Sequence, residues 1–162
     1  IADKTNWRAL LKGNAESRDL LADAVELKHQ LKEWVNFYRM DKVIHFTGYI
    51  ENTEDYLAAS DLLVHISESE ASSHVVREAA LVGTPILVCK NVGDFEDYIV
   101  DNKSGFFIEK ELSAKSLALK IHQLMKDTER LNNSAIVLNQ EVIKRFDINL
   151  TGEKLINVLK ND

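Results

Sequence analysis

Ser67-Glu68-Ser69-Glu70-Ala71-Ser72-Ser73-His74-Val75-Val76-Arg77-Glu78-Ala79-Ala80-Leu81-Val82-Gly83-Thr84-Pro85 is the stretch on which the reading of this chain turns. It is bounded by two apolar runs, Leu62 to Ile66 before it and Ile86 to Cys89 after it. The order of features is strand, loop carboxylate at Glu70, helix N-terminus, helix carboxylate at Glu78, and a second strand. Ser72 or Ser73 is expected to cap a helix running to Val82, because a hydroxyl there can accept from the free amides of the first turn. Gly83 then fits the left-handed position that ends such a helix.

The same alternation extends outward and predicts βα units around a parallel sheet. The expected strands are about Trp7 to Leu11, Val43 to Thr47, Leu62 to Ile66, Ile86 to Cys89 and Phe106 to Ile108. Leu20, Ala24, Leu27, Leu31, Val35 and Tyr38 recur at spacings of three and four, so Ser17 to Arg39 reads as a long amphipathic helix. Thr53 is expected to cap a short helix to Ala59, and Phe95 to Val100 to form another. From Ser113 onward the pattern is helical. Leu117, Ile121 and Leu124 form one face, Leu131, Ala135, Leu138, Val142 and Phe146 a second, and Thr151 to Leu159 a last helix. The helix from Thr128 to Phe146 is expected to pack on the sheet.

Composition narrows the function classes. The chain has 162 residues, 45% of them hydrophobic and 28% charged, with a single proline, which suits one globular α/β domain spanning 1–162 rather than a disordered chain. A net charge of −6 without a dense Lys/Arg patch argues against a nucleic-acid partner. Cys89 lies in an apolar run and reads as a reduced, buried strand residue. No apolar run approaches the roughly 20 residues that span a bilayer, and the expected location is the cytoplasm. The five histidines have no metal-ligand spacing, so no metal is expected. His45 and His65 read as core or edge strand residues, and Glu96, Asp97 and Asp101 as a solvated acidic face. There is no Gly-x-Gly-x-x-Gly after a strand and no Walker loop.

Glu70 and Glu78 are the candidate chemistry. Glu70 sits where strand becomes loop, at the carboxyl edge of a parallel sheet, where open α/β sheets bind ligands. Helical rotation places Glu78 between Leu81 and Val82, on the border of an apolar face, where a carboxylate is costly unless it finds donors. Ribose hydroxyls are suitable donors. The amides of Ser72, Ser73, His74 and Val75 begin the helix and are placed to bind phosphate. The plainer alternative is that Glu78 pairs with a buried Arg or Lys while Glu70 is solvated.

These residues carry a family resemblance. Glu70-x7-Glu78, continuing as Glu78-Ala79-Ala80-Leu81-Val82-Gly83-Thr84-Pro85, resembles the nucleotide-sugar motif of retaining group 1 glycosyltransferases of the two-Rossmann-domain, GT-B type. Val43-Ile44-His45-Phe46-Thr47-Gly48-Tyr49, Tyr56-Leu57-Ala58-Ala59-Ser60-Asp61, Gly93-Asp94-Phe95-Glu96 and Ser104-Gly105-Phe106 are similar to neighbouring segments of that family's C-terminal, donor-binding domain. The likeness covers roughly residues 7 to 160. It implies a Rossmann-like parallel sheet flanked by helices with a helical C-terminus.

The resemblance also implies roles. Glu78 would accept from the ribose hydroxyls, and Glu70 would be the catalytic-site carboxylate, contacting hydroxyls of the transferred hexose near the reacting carbon. Ser72, Ser73, His74 and Val75 would hold sugar and diphosphate, and Gly48 and Tyr49 would lie against the nucleobase. The implied reaction is metal-independent, retaining transfer from a UDP- or GDP-hexose to a saccharide or lipid-linked acceptor, with no cofactor. Ala71-Ser72-Ser73-His74 replaces the family's bulky glycine-containing run, and no counterpart of its diphosphate-clamping Arg and Lys is present. On this reading the chain is a donor-binding fragment, inactive alone, of an enzyme whose partner is its own N-terminal acceptor domain. The whole enzyme would be able to associate peripherally with the inner face of the membrane. Two other readings stand beside it: a non-catalytic Rossmann-like interaction module, in which Arg77 or a lysine closes the carboxylate cleft, and a nucleotide-sugar epimerase fragment.

Overall fold

A computed structural model describes residues 9–11, 18–111 and 113–160, with backbone alone at 9–11, 18–25, 154 and 155. The chain divides into two compact units, Ile1–Glu51 and Asn52–Asp162. In the first, β1 (Ala9–Leu11) and β2 (Ile44–Phe46) pair in parallel with Ala9 opposite Ile44, and α1 (Arg18–Phe37) connects them. The helix ends in two bonds that close its last turn, Met40 N to Val35 O at 2.8 Å and Arg39 N to Asn36 O at 3.0 Å, with Arg39 at φ 55°. That is the glycine-type C-terminal closure made by an arginine. Of the expected apolar face, Leu31 and Val35 are half-buried while Leu27 and Tyr38 are exposed. Trp7, Gly13, Asn14 and Ser17, which belonged to the expected first strand, turn and helix start, lie outside the described residues.

The second unit holds a three-stranded parallel sheet in the order β3 (Leu63–His65), β4 (Ile86–Cys89) and β5 (Phe106–Ile108). Leu63 lies opposite Ile86, and Leu87 opposite Phe106. Strand β4 is central and all four of its residues are buried, which is why it reads as an unbroken apolar run. Strand β3 is an edge of this sheet. It is shorter than expected, and Val64 is exposed although the run is apolar in sequence.

Helix α2 (Thr53–Ala58) has Asn52, not Thr53, at its N-cap position. Helix α3 (His74–Leu81) connects β3 to β4 and contributes Val76, Ala79 and Ala80 to the core. The expected helix at Phe95 to Val100 is only a 3-10 turn over Phe95–Asp97. It stops because Ser104 Oγ accepts from Val100 N at 2.8 Å and Asp101 Oδ1 accepts from Phe107 N at 3.1 Å, which draw the chain into the turn before β5.

Helices α4 (Ala114–Met125), α5 (Thr128–Phe146) and α6 (Ile148–Lys160) follow. Ser113 and Asp127 cap α4 and α5, accepting from Ser116 N at 3.2 Å and Arg130 N at 3.0 Å. Leu131, Ala135, Leu138 and Val142 are buried as their spacing predicts. Helix α5 packs chiefly on α3 and α4 rather than on the strands themselves. The core therefore has β4 at its centre, Phe95 and Phe106 beside it, and α3 between the sheet and α5.

Candidate functional site

Parallel pairing puts the carboxyl ends of β3 and β4 on the same sheet edge, so the loops leaving them are neighbours. The β3 loop runs from Ile66 to Ser73, and the β4 loop contains Gly93 and Asp94. They touch. A Cβ at Gly93, whose φ is +62°, would lie 3.1 Å from Glu70 Cβ and 3.4 Å from Glu70 O. Glycine there meets both demands, a left-handed turn and the absence of a side chain against Glu70.

Glu70 is not solvated as the plainer reading supposed. Its Oε1 lies 2.9 Å from His65 Nε2, with the two side chains 26% and 21% exposed. An ionised carboxylate only accepts, so Nε2 is the donor. The ring of His65 stands edge-on to the buried Phe95, with centroids 5.9 Å apart and planes at 88°. His65 was expected to be a plain core or edge residue; its place at the last position of β3 instead turns it toward the loop carboxylate.

Ser73 occupies the N-cap position of α3, but its side chain makes no cap bond. Its hydroxyl lies 3.4 Å from His65 Nε2. Ser72, the other expected cap, donates to Asp94 Oδ2 at 2.7 Å. Both hydroxyls are thus drawn away from the helix. Among the described residues, the amides of Ser72, Ser73, His74 and Val75 meet no acceptor. These are the orphan donors of a helix start, carrying its positive dipole end.

Asp94 Oδ1 and the Tyr98 hydroxyl are buried, and neither has a hydrogen-bond partner among the described residues. Burial, with the Asp94 carboxylate adding to it, pushes the Tyr98 phenol far above its ordinary range; Arg77 and Arg145 pull weakly the other way.

Glu78 departs from expectation. It is exposed rather than bordering a buried face, and no described Arg or Lys pairs with its carboxylate. Arg77, the obvious candidate, lies over the Phe146 ring, 4.8 Å from its centroid. The acidic face is exposed as expected but engaged: Glu96 accepts from Asn91 N, and Asp97 takes Arg145 through its carbonyl at 2.9 Å. Tyr49 is 76% exposed and follows Gly48 beyond β2 in the first unit. No group of three or more His, Cys, Asp or Glu side chains among the described residues is placed to share a metal ion. None of the described helices is long and apolar enough to cross a membrane.

Residues 2–136 match the model of the family "Glycosyl transferases group 1". This chain belongs to that family. N-acetyl-alpha-D-glucosaminyl L-malate synthase of Bacillus anthracis is 29% identical to it over 138 residues, 85% of this chain but 34% of the synthase. The chain therefore spans about a third of the length of that curated relative. Among solved structures, Anabaena HepE in complex with UDP superimposes with a TM-score of 0.82 at 23% identity, over 96% of this chain and 41% of HepE. HepE has also been solved with UDP-glucose. The C-terminal domain of a group 1 glycosyl transferase from Francisella tularensis superimposes with a TM-score of 0.72 at 26% identity, over 88% of this chain and 71% of that domain. The α/β architecture, with its parallel sheet and helical C-terminus, is that of these group 1 transferases.

Proposed function

We propose that this chain is the donor-binding part of a glycosyltransferase and takes a nucleoside-diphosphate hexose at the β3–α3 edge. The observation that carries the reading is the N-terminus of α3. Both serines that would ordinarily cap it are turned to other partners, and its first amides meet no acceptor among the described residues. A diphosphate supplies the missing acceptors and the negative charge that a helix start favours. Glu78, exposed on the same helix, would accept from the ribose hydroxyls. Glu70 would contact the hexose near the reacting carbon, while Ser72, Ser73, His74 and Val75 hold sugar and diphosphate.

Fixed amides at the departing diphosphate can supply the electrostatic stabilisation that transfer needs. We extend the reading to metal-independent, retaining transfer of a hexose, with the saccharide or lipid-linked acceptor brought by a further domain of a longer, cytoplasmic polypeptide. Two observations favour donor binding over a ligand-free interaction module. Arg77 is engaged with Phe146 instead of closing the carboxylates, and the family match covers the whole β3–α3 edge.

Thermal unfolding of this chain with UDP, GDP and their hexose conjugates tests the reading. At least one is expected to raise the melting temperature with EDTA present. Glu78→Ala should weaken that ligand about ten- to a hundredfold, the range expected for a hydrogen bond to a charged group. No response to any of them would sink it.

A further inference from the structure

We infer that His65 is the residue that sets the hexose-reading carboxylate, a positioning role that rests on the donor-site reading above. Three observations on different elements converge on it. First, His65 is fixed before any ligand arrives. Its backbone lies in register with Val88 of the buried central strand, and its ring is braced edge-on by Phe95, which is fully buried.

Second, that fixed ring holds one oxygen of Glu70. The bond from Nε2 to Oε1 is 2.9 Å, and the Gly93 turn passes close enough to Glu70 Cβ that any side chain on it would collide with that atom. A glutamate at a loop has several rotamers, and the freedom it loses on binding opposes affinity. With Oε1 tied to His65 and the Gly93 turn running beside its Cβ, much of that freedom is already lost in the free protein. Oε2 meets no donor among the described residues and is the oxygen left for a sugar hydroxyl.

Third, the same nitrogen lies 3.4 Å from Ser73 Oγ, the side chain that would otherwise be best placed to cap α3. His65 thus orients the carboxylate that meets the hexose, and its looser 3.4 Å approach to the Ser73 hydroxyl is not what keeps the helix amides open. The loop that carries Glu70 has no bulky residue between Glu70 and Ser73 to brace it from within, only Ala71 and Ser72. The strand-borne histidine supplies the bracing from outside.

Titration calorimetry with matched pairs of ligands separates this role from general support of the fold. UDP and GDP report nucleotide binding, and the extra affinity of their hexose conjugates reports sugar reading. In His65→Leu the nucleotide affinity is expected to stay within about twofold while the sugar increment falls about tenfold, as for loss of one well-oriented charged hydrogen bond. His65→Gln, which returns an N–H near the Nε2 position, should restore most of the increment. If His65→Leu fails to fold, His65→Asn replaces it, since its shorter amide cannot reach Oε1. An unchanged increment overturns the inference, as does an equal loss of nucleotide and conjugate affinity or the lack of a sugar increment in the wild-type chain. A wild-type chain that binds neither nucleotides nor conjugates overturns the donor-site reading and this inference with it.

Discussion

At its C-terminal end α3 has its last carbonyls taken up one after another, whereas at its N-terminal end the corresponding amides are left open. Thr84 N bonds to Ala79 O at 2.9 Å and Gly83 N to Ala80 O at 3.2 Å, the paired closure of a Schellman motif. Asn139 of α5 donates to Ala80 O and Leu81 O, both at 3.0 Å, and the buried Thr84 hydroxyl donates to Leu57 O at 2.6 Å. The N-terminal end has two serines at hand and uses neither as a cap. One helix therefore carries a finished end, which holds the fold together, and an unfinished end, which costs some stability and keeps donors available. On the proposed function, the difference separates residues kept for structure from residues kept for a ligand.

The contrast can be broken at either end, with the largest effect expected at Gly83. Its φ is +80° and a Cβ would meet nothing within 4 Å, so Gly83→Val tests backbone strain alone. It should cost about 1–2 kcal/mol, read as a melting temperature lower by roughly 2–8 °C. A smaller loss, about 1 kcal/mol, is expected for Thr84→Val, because Leu57 O keeps its bond from Ser60 N. Denaturant midpoints at unchanged slope would measure it. The smallest effect belongs to the unfinished end. Ser73→Ala should change stability by less than about 0.5 kcal/mol, well under the usual loss for removing an N-cap side chain. A full cap-sized loss there would erase the contrast.

The parts of the fold that could be read from sequence are those in which local chemistry and tertiary demand agree. Strands β4 and β5 have the expected limits because a buried central strand and its neighbour are apolar throughout. Gly83 could be read because its requirement is local. Ser72 and Ser73 misled for the opposite reason. Serine before a helix signals a cap, but the competing partners, Asp94 and His65, stand 22 and eight residues away in sequence. The carboxylates inverted in the same way. Helical phase placed Glu78 beside Leu81 and Val82, yet both of these are themselves exposed, so the border is wet. Glu70, which the plainer alternative left in solvent, found a histidine that only the loop's return path brings near. That signal was present in sequence as a histidine ending a strand with an acid five residues on. Nothing local ranks it above a chance pair.

Gly93 gives this site a constraint on how it can diverge. Because any side chain at Gly93 would run into the backbone and Cβ of Glu70, and the next residue, Asp94, holds Ser72, the two loops form one mould cast in two pieces. A substitution that enlarges either piece displaces the other. On the proposed donor-site reading, altering the sugar preference by grafting would require exchanging residues 66–73 and 91–95 together, as a matched set, rather than one loop at a time.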